Sequence, residues 1–368
     1  MGRPRTGHQP DRQQCRLRSR AFWIHAHGLQ LRRARRQRLY LKSGDAQVKL
    51  ALVGDIGGTN ARFAIWEDDT LHSVRVFPTI DYAGPEKAIE VYLQDLELQR
   101  GDIGYVCLAV AGPVDGDLFQ FTNSHWQLSR EAFCADLKVD HLLLINDFTA
   151  MALGMTRLKD DEYLTVCHGV GKPDRPRVVV GPGTGLGVGT LIKLEGSRWM
   201  AMPGEGGHAD LPIGTAREAL LWTRLMAEHE HVSAEVVLSG AGLLLLYQVS
   251  CALDGIDAAL KSPAAITSAA LAGDPVAAAV LEQFCVFLGR VVGNNVLTLG
   301  SLGGVYIVGG VVPRFTEFFM NSGFKRAMGE KGVMSGYFKN LPVWLVTAEY
   351  PGLMGSGVAL QQAFGSQI

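Results

Sequence analysis

Residues 50–66 read LALVGDIGGTNARFAIW. Two apolar runs flank Asp55-Ile56-Gly57-Gly58-Thr59-Asn60, the pattern of two strands joined by a tight hairpin. A hairpin turn uses glycine for its backbone angles. It has no need of the carboxylate before it or of the Thr-Asn after it. A second stretch, VVGPGTGLGVGTLIKL at 179–194, repeats the plan: strand, glycine-rich turn, strand. Two hairpins of one design predict two related halves facing each other across a cleft. Other strand-like runs alternate with helix-like ones at 84–98, 129–136, 147–157, 214–229, 239–253, 274–298, 313–328 and 353–364. Val/Ile/Leu-rich strands alternating with helices predict an α/β architecture around buried sheets. The Gly/Pro/charge-rich GVGKPDRPR places a boundary near 157–176.

The chain has 368 residues, 47% hydrophobic and 19% charged, which suits two domains or one large one. Its net charge of −1 hides an asymmetry. Residues 1–47 hold 12 of the 35 basic side chains and 2 of the 36 acidic ones, leaving 23 against 34, a balance of −11. An acidic globular part argues against general affinity for nucleic acid. The basic, acid-poor segment 1–47 has three readings: a nucleic-acid-binding arm, a targeting presequence, or a poorly ordered extension. The abrupt start of the globular pattern at Val48 favours the extension. Six scattered cysteines without C-x-x-C spacing fit a reducing cytoplasm and give no structural zinc site. The apolar run from Pro275 is interrupted by Glu282, Gln283, Arg290, Asn294 and Asn295, so it reads as a buried core helix and not a membrane span.

Glycine lets backbone N–H groups approach an anion closely, so both hairpin turns are candidate phosphate cradles. A ligand-free tight turn is the alternative for either one. The P-loop signature, the dinucleotide G-x-G-x-x-G and the protein-kinase motif set are all absent. Neither loop carries a lysine, so a divalent cation is expected to balance phosphate charge. Asp55 is the carboxylate placed to face a hydrated Mg²⁺. Asn146-Asp147 joins an apolar strand to an apolar helix. It reads either as a helix cap or as a general base at the carboxyl end of a strand. Glu205 and His208 in MPGEGGHADLP have no further ligand nearby for zinc, but suit the hydroxyls of a sugar. Glu235 lies just inside a helix start at Ser233, where an acid is also ordinary dipole chemistry. Asn123 in TNSHW could add to a polar pocket.

In order, VGDIGGTNARFA, INDFTA, GPGTGLGV, PGEGGH, HVSAEVVLSG, GGVYIVGGVVPRF and PGLMGSG closely resemble the bacterial glucokinase family of the actin–hexokinase ATPase superfamily. The resemblance covers about residues 48–366. It implies a ribonuclease H-like, actin-like ATPase fold of two α/β domains around an interdomain cleft. The small domain would span 48–157 plus about 349–368, and the large one 158–348. It implies ATP, Mg²⁺ and phosphorylation of glucose at O6 in the cytoplasm, by a protein commonly a homodimer and with no nucleic-acid or membrane partner. Carried onto this sequence, Asp147 is the base. Asn146, Glu205, His208 and Glu235 are sugar ligands. Gly57, Gly58, Thr59 and Asn60 form the first phosphate loop with Asp55, and Gly183, Thr184 and Gly185 the second. Gly309 and Gly310 lie near the adenosine. The zinc-binding cysteine cluster of related sugar kinases and repressors is absent. The alternatives are a kinase for another hexose and a sugar-sensing transcriptional regulator on the same fold.

Overall fold

The computed structural model describes residues 49–365 apart from 113, 123 and 197. The extension expected over 1–47 and the candidate Asn123 therefore lie outside the described residues. From Leu50 onward the chain forms one compact unit. It opens with β1 (Leu50–Ile56), β2 (Asn60–Glu67) and β3 (Thr70–Pro78), then α1 (Pro85–Asp95), β4 (Ile103–Val110), β5 (Leu118–Gln120), β6 (Gln127–Ser129) and α2 (Arg130–Leu137). Next come β7 (His141–Asn146), α3 (Asp147–Gly154), β8 (Tyr163–Cys167), β9 (Arg177–Pro182), β10 (Leu186–Lys193) and β11 (Trp199–Met202). Helices α4 (Ala216–Leu225), α5 (Ala234–Val237), α6 (Gly240–Asp254), α7 (Pro263–Leu271) and α8 (Pro275–Leu299) follow. The chain closes with β12 (Gly304–Ile307), α9 (Thr316–Asn321), α10 (Phe324–Gly329), β13 (Val343–Val346) and α11 (Pro351–Phe364).

The first sheet has the order β3-β2-β1-β4-β7, and the second β11-β10-β9-β12-β13-β8. In each, an antiparallel meander carries the glycine turn and two strands then add in parallel. Strand for strand, β1, β2, β3, β4 and β7 correspond to β9, β10, β11, β12 and β13. The echo between the two quoted hairpins is thus the visible part of a repeated five-strand topology. Strand β8 is added antiparallel at the edge of the second copy.

Helices α3 and α11 share an apolar core with both sheets, uniting Val53, Leu153, Val179, Tyr306 and Leu360. Their packing is unusually close. A Cβ on Gly355 would lie 1.7 Å from the Ala150 carbonyl oxygen, and one on Gly154 would lie 2.1 Å from that of Pro351. A Cβ on Gly357 would meet the Trp66 ring at 2.2 Å. Only hydrogen fits at these positions, which is why PGLMGSG can be helical despite glycine's poor propensity. The Ser356 hydroxyl on the same face donates to the Gly54 carbonyl at 3.3 Å, fixing α11 behind β1.

Helix α8 is long and apolar enough to cross a membrane, yet most of it is buried in the core around the second sheet. Its start is set by Asp274, whose side chain accepts from the Ala277 N–H, and by Pro275 in the first turn. Arg290 within it is buried because Glu218 of α4 meets it at 3.0 Å. The single helix expected over 313–328 is in fact broken. A 3₁₀ turn at Val312–Phe315 precedes α9, and α9 and α10 part at Ser322-Gly323. There Glu282 of α8 accepts the Gly323 N–H at 2.9 Å, an alternative partner that ends the helical ladder.

Candidate active site

Strand β7 ends at Asn146 and α3 begins at Asp147, so the junction is a helix cap that sets Asp147 at the carboxyl end of a strand. Asn146 is the cap: its Oδ1 accepts the N–H groups of Phe148 and Thr149, each at 3.0 Å. Its Nδ2 donates to Asp147 Oδ1 at 3.1 Å, and the Phe148 N–H reaches the same oxygen at 2.8 Å. Asp147 Oδ1 is therefore doubly held. Among the described residues no hydrogen bond engages Oδ2. Burial raises the Asp147 pKa to about 6; the Phe148 N–H opposes the rise, while the negative charges of Asp55 and Glu205 add to it. Asp55 and Glu205, from separate elements, are thus the carboxylates whose charge reaches Asp147.

Asp55 pairs in register with Arg62 across the first hairpin, and the two side chains meet at 3.5 Å. Its carboxylate also lies over the first turn of α11, 3.3 Å from where a Cβ on Gly352 would be. Burial pushes the Asp55 pKa up and Arg62 pulls it down. The side chain still keeps 27% of its surface open.

In that turn Gly57 donates to the Asn60 carbonyl at 3.0 Å. Thr79 ties the loop from outside, its hydroxyl donating to the Gly58 carbonyl at 2.7 Å and its N–H to Thr59 at 2.9 Å. In the second turn Gly183 donates to Gly185 at 2.8 Å. None of Gly57, Gly58, Gly183 and Gly185 has the left-handed backbone that would demand glycine. A Cβ on Gly57 or Gly183 would meet nothing closer than 3.5 or 4.0 Å. Neither turn geometry nor protein packing explains these two glycines, whereas a ligand pressed against the backbone would. The Gly57 and Gly183 N–H groups are engaged within the turns. The donors left open among the described residues are the N–H groups of Gly58, Thr59, Thr184 and Gly185.

Glu235, in the first turn of α5, links the second turn to the polar loop. Its Oε2 accepts the Leu186 N–H at 2.7 Å, and a Cβ on Gly185 would strike that oxygen at 2.4 Å. Its Oε1 stands 4.0 Å from His208 Nε2. The loop bearing Glu205 and His208 is pinned to β10, since a Cβ on Gly207 would lie 1.8 Å from the Leu186 carbonyl oxygen. Both side chains are exposed. Gly309 takes a left-handed backbone where a Cβ would lie 2.5 Å from the Pro182 carbonyl oxygen, and Gly310 is open, so the end of β12 borders the second turn.

Two partners escaped the sequence reading. Arg62 was legible only through register, being seven residues from Asp55. Phe148 was legible as the aromatic side chain next to Asp147, facing a strand with glycines at alternate positions.

Comparison with known proteins matches residues 52–363 to the family described as Glucokinase. A glucokinase of Pseudomonas aeruginosa is 53% identical over 319 residues, spanning 86% of this chain and 96% of that one. The crystal structure of a glucokinase from an Antarctic psychrotroph superposes with a TM-score of 0.78 at 34% identity, over 86% of this chain and 100% of that one. A glucokinase from Balamuthia mandrillaris in complex with glucose shares the fold, with a TM-score of 0.72 at 20% identity over 90% and 99% of the two chains. The motifs strung along both repeated sheets and the match across nearly all of the described chain agree: this protein belongs to the glucokinase family.

Proposed function

We propose that the protein transfers the γ-phosphoryl group of ATP to O6 of D-glucose, with Asp147 as general base. The observation that carries this reading is the half-held Asp147 carboxylate. One oxygen is fixed by Asn146 and the Phe148 N–H, the other is open to a substrate hydroxyl. As O6 attacks the γ-phosphorus, its proton passes to Asp147 Oδ2. The bond from γ-phosphorus to the bridging oxygen breaks, and that electron pair leaves with ADP. In a loose transition state the catalysis is chiefly positioning and charge stabilisation. The open N–H groups of Gly58, Thr59, Thr184 and Gly185 are donors for the phosphates. Asn146, Glu205, His208 and Glu235 are hydroxyl partners for the sugar.

Among the described residues no cluster of three or more metal-ligating side chains exists. A lone, partly open carboxylate suits Mg²⁺, which keeps several waters and is otherwise held by substrate phosphates. Asp55 would hold it, and the ion when bound would neutralise phosphate charge. The division into 48–157 with 349–368 and 158–348, closing on the sugar, is part of the proposal. It is supported by the repeated sheets, although the apolar core shared by α3 and α11 means that closure must slide or bend within it. A homodimer in the cytoplasm follows from the family likeness. The free, mostly buried thiols of the five described cysteines suit a reducing compartment.

The test is ADP formation with glucose, fructose, mannose or N-acetylglucosamine, for the wild type and Asp147→Ala. Turnover on glucose that the substitution abolishes is expected. Turnover on another sugar replaces the substrate. Undiminished turnover by Asp147→Ala removes the base.

A further inference from the structure

Five glycines fall at alternate positions from 181 to 189, and only two of them, Gly183 and Gly185, lie in the turn itself. Gly181 and Gly187 are direct cross-strand partners in the β9–β10 hairpin, and Gly189 follows Gly187 on the same face. The three make a strip of sheet with no side chains, and the Phe148 ring fills it. A Cβ on Gly187 would lie 2.0 Å from ring carbons Cδ2 and Cε2. One on Gly181 would lie 2.6 Å from Val308 Cγ2 and 2.9 Å from Phe148 Cζ, and one on Gly189 would lie 3.3 Å from Cδ1. Phe148 is the residue after Asp147, and its own N–H holds Asp147 Oδ1 at 2.8 Å.

One residue therefore touches both halves of the proposed chemistry. Its backbone fixes the carboxylate at the end of the first sheet. Its ring is keyed into the second-sheet hairpin whose turn is Gly183-Thr184-Gly185. A flat ring in a slot of backbone resists both sliding and tilting, because protein interiors give little without a large volume change. We propose that Phe148 is a positioning residue that sets the distance between the base and the second phosphate turn, with Gly181, Gly187 and Gly189 as its socket. The proposal rests on Asp147 being the base.

Misplacing reacting groups by about 1 Å costs on the order of 100-fold in rate. The experiment compares kcat and KM for glucose and for ATP in Phe148→Ala, Phe148→Leu, Gly187→Ala and the double variant Phe148→Ala/Gly187→Ala. Asp147→Asn runs alongside, and glucose binding is measured by calorimetry. Phe148→Ala is expected to lower kcat about 100-fold while the glucose Kd changes less than about threefold, since no sugar contact is removed. Phe148→Leu, which refills part of the slot, should recover at least tenfold of that loss. Gly187→Ala should reproduce the kcat defect with the ring intact, by expelling it. In the double variant Gly187→Ala should add nothing further, because the ring it displaces is gone. Folding is checked by near-UV circular dichroism. If Phe148→Ala fails to fold, Phe148→Leu against Gly187→Ala still decides.

Unchanged kcat in folded Phe148→Ala, or additive losses in the double variant, would overturn the positioning role. Full turnover by Asp147→Asn would instead overturn the base assignment, so the two failures are separable.

Discussion

If Asp147 must be ionised to take the proton of O6, its raised pKa of about 6 sets the acid limb of activity. An ordinary aspartate near 3.8 would be almost fully ionised at pH 5. A group at about 6 is roughly nine-tenths ionised at pH 7 and one-tenth at pH 5, a fall of about tenfold in kcat/KM over two units. The assay is initial-rate ADP release with glucose varied, from pH 4.5 to 8, with refolded activity at pH 7.5 checked after each exposure. Glu205→Gln removes one of the like charges that push the pKa up. It should move the midpoint to lower pH, whatever it does to the absolute rate through lost sugar contacts. The same shift carries a stability consequence. A rise of about two units is on the order of 3 kcal/mol against the ionised form in the folded state. That cost is absent below the unfolded pKa near 3.8 and is fully present above about 6. Asp147→Asn should therefore raise the Tm at pH 8 and leave it unchanged at pH 3.5, while abolishing turnover. A limb centred near pH 4, or a midpoint that Glu205→Gln leaves in place, would refute the account of a buried base crowded by two other carboxylates.

Three further outcomes follow from the contacts. Glu235→Ala loses the acceptor of the Leu186 N–H and the partner of His208, so KM should rise for both ATP and glucose by roughly tenfold or more, since a hydrogen bond to a charge contributes about 1.5–3 kcal/mol; steady-state kinetics with each substrate varied decides this. Gly355→Ala puts a Cβ 1.7 Å from the Ala150 carbonyl oxygen and should lower stability by about 3 kcal/mol or more in urea unfolding, whereas Gly310→Ala, which meets nothing within 4 Å, should change it by less than about 0.5 kcal/mol. Glu218→Ala leaves Arg290 only Glu330, at 3.5 Å, and strips the Gly214 and Thr215 N–H groups of their acceptor, so it should cost about 3–5 kcal/mol, of which Glu218→Leu/Arg290→Met recovers only the ion-pair part, a double-mutant cycle by urea unfolding being the check.

Much of the fold and part of the candidate site's framework were legible in the sequence because strand alternation and hairpin turns are local signals. The run HLLLIN is β7 residue for residue, and the apolar stretch from Pro275 is the buried helix expected of it. What escaped has a common physical cause: it depends on what lies opposite. The strands Leu118–Gln120 and Gln127–Ser129 are three residues each and pair only with each other, too short for any period to register. The helix over 313–328 has the right periodicity, but the Glu282 carboxylate, about forty positions upstream, takes the N–H that would continue it. Arg62 joins Asp55 through cross-strand register, which a one-residue slip would undo.

Glycine is where local reading is least able to separate causes, since one letter serves four different needs in this chain. Gly309 answers to a left-handed backbone. Gly154, Gly355 and Gly357 answer to helices packed against backbone or a ring, so they concern stability. Gly187 and Gly189 make room for one aromatic side chain, Gly181 for that ring and Val308, and Gly185 for one carboxylate. Gly57 and Gly183 meet no backbone or packing need within the protein, which fits the phosphate turns proposed here but is shared by Gly204, Gly310 and Gly336. The carboxylate before the first hairpin fits the same scheme. Asp55 is held by Arg62 and by the start of α11, so its position is fixed without any ligand, yet part of its surface stays open. A structural aspartate would have both oxygens satisfied internally. One that is anchored on one side and partly open is suited to meet a ligand, and its charge, which adds to the rise of the Asp147 pKa, ties it to the same proposed site.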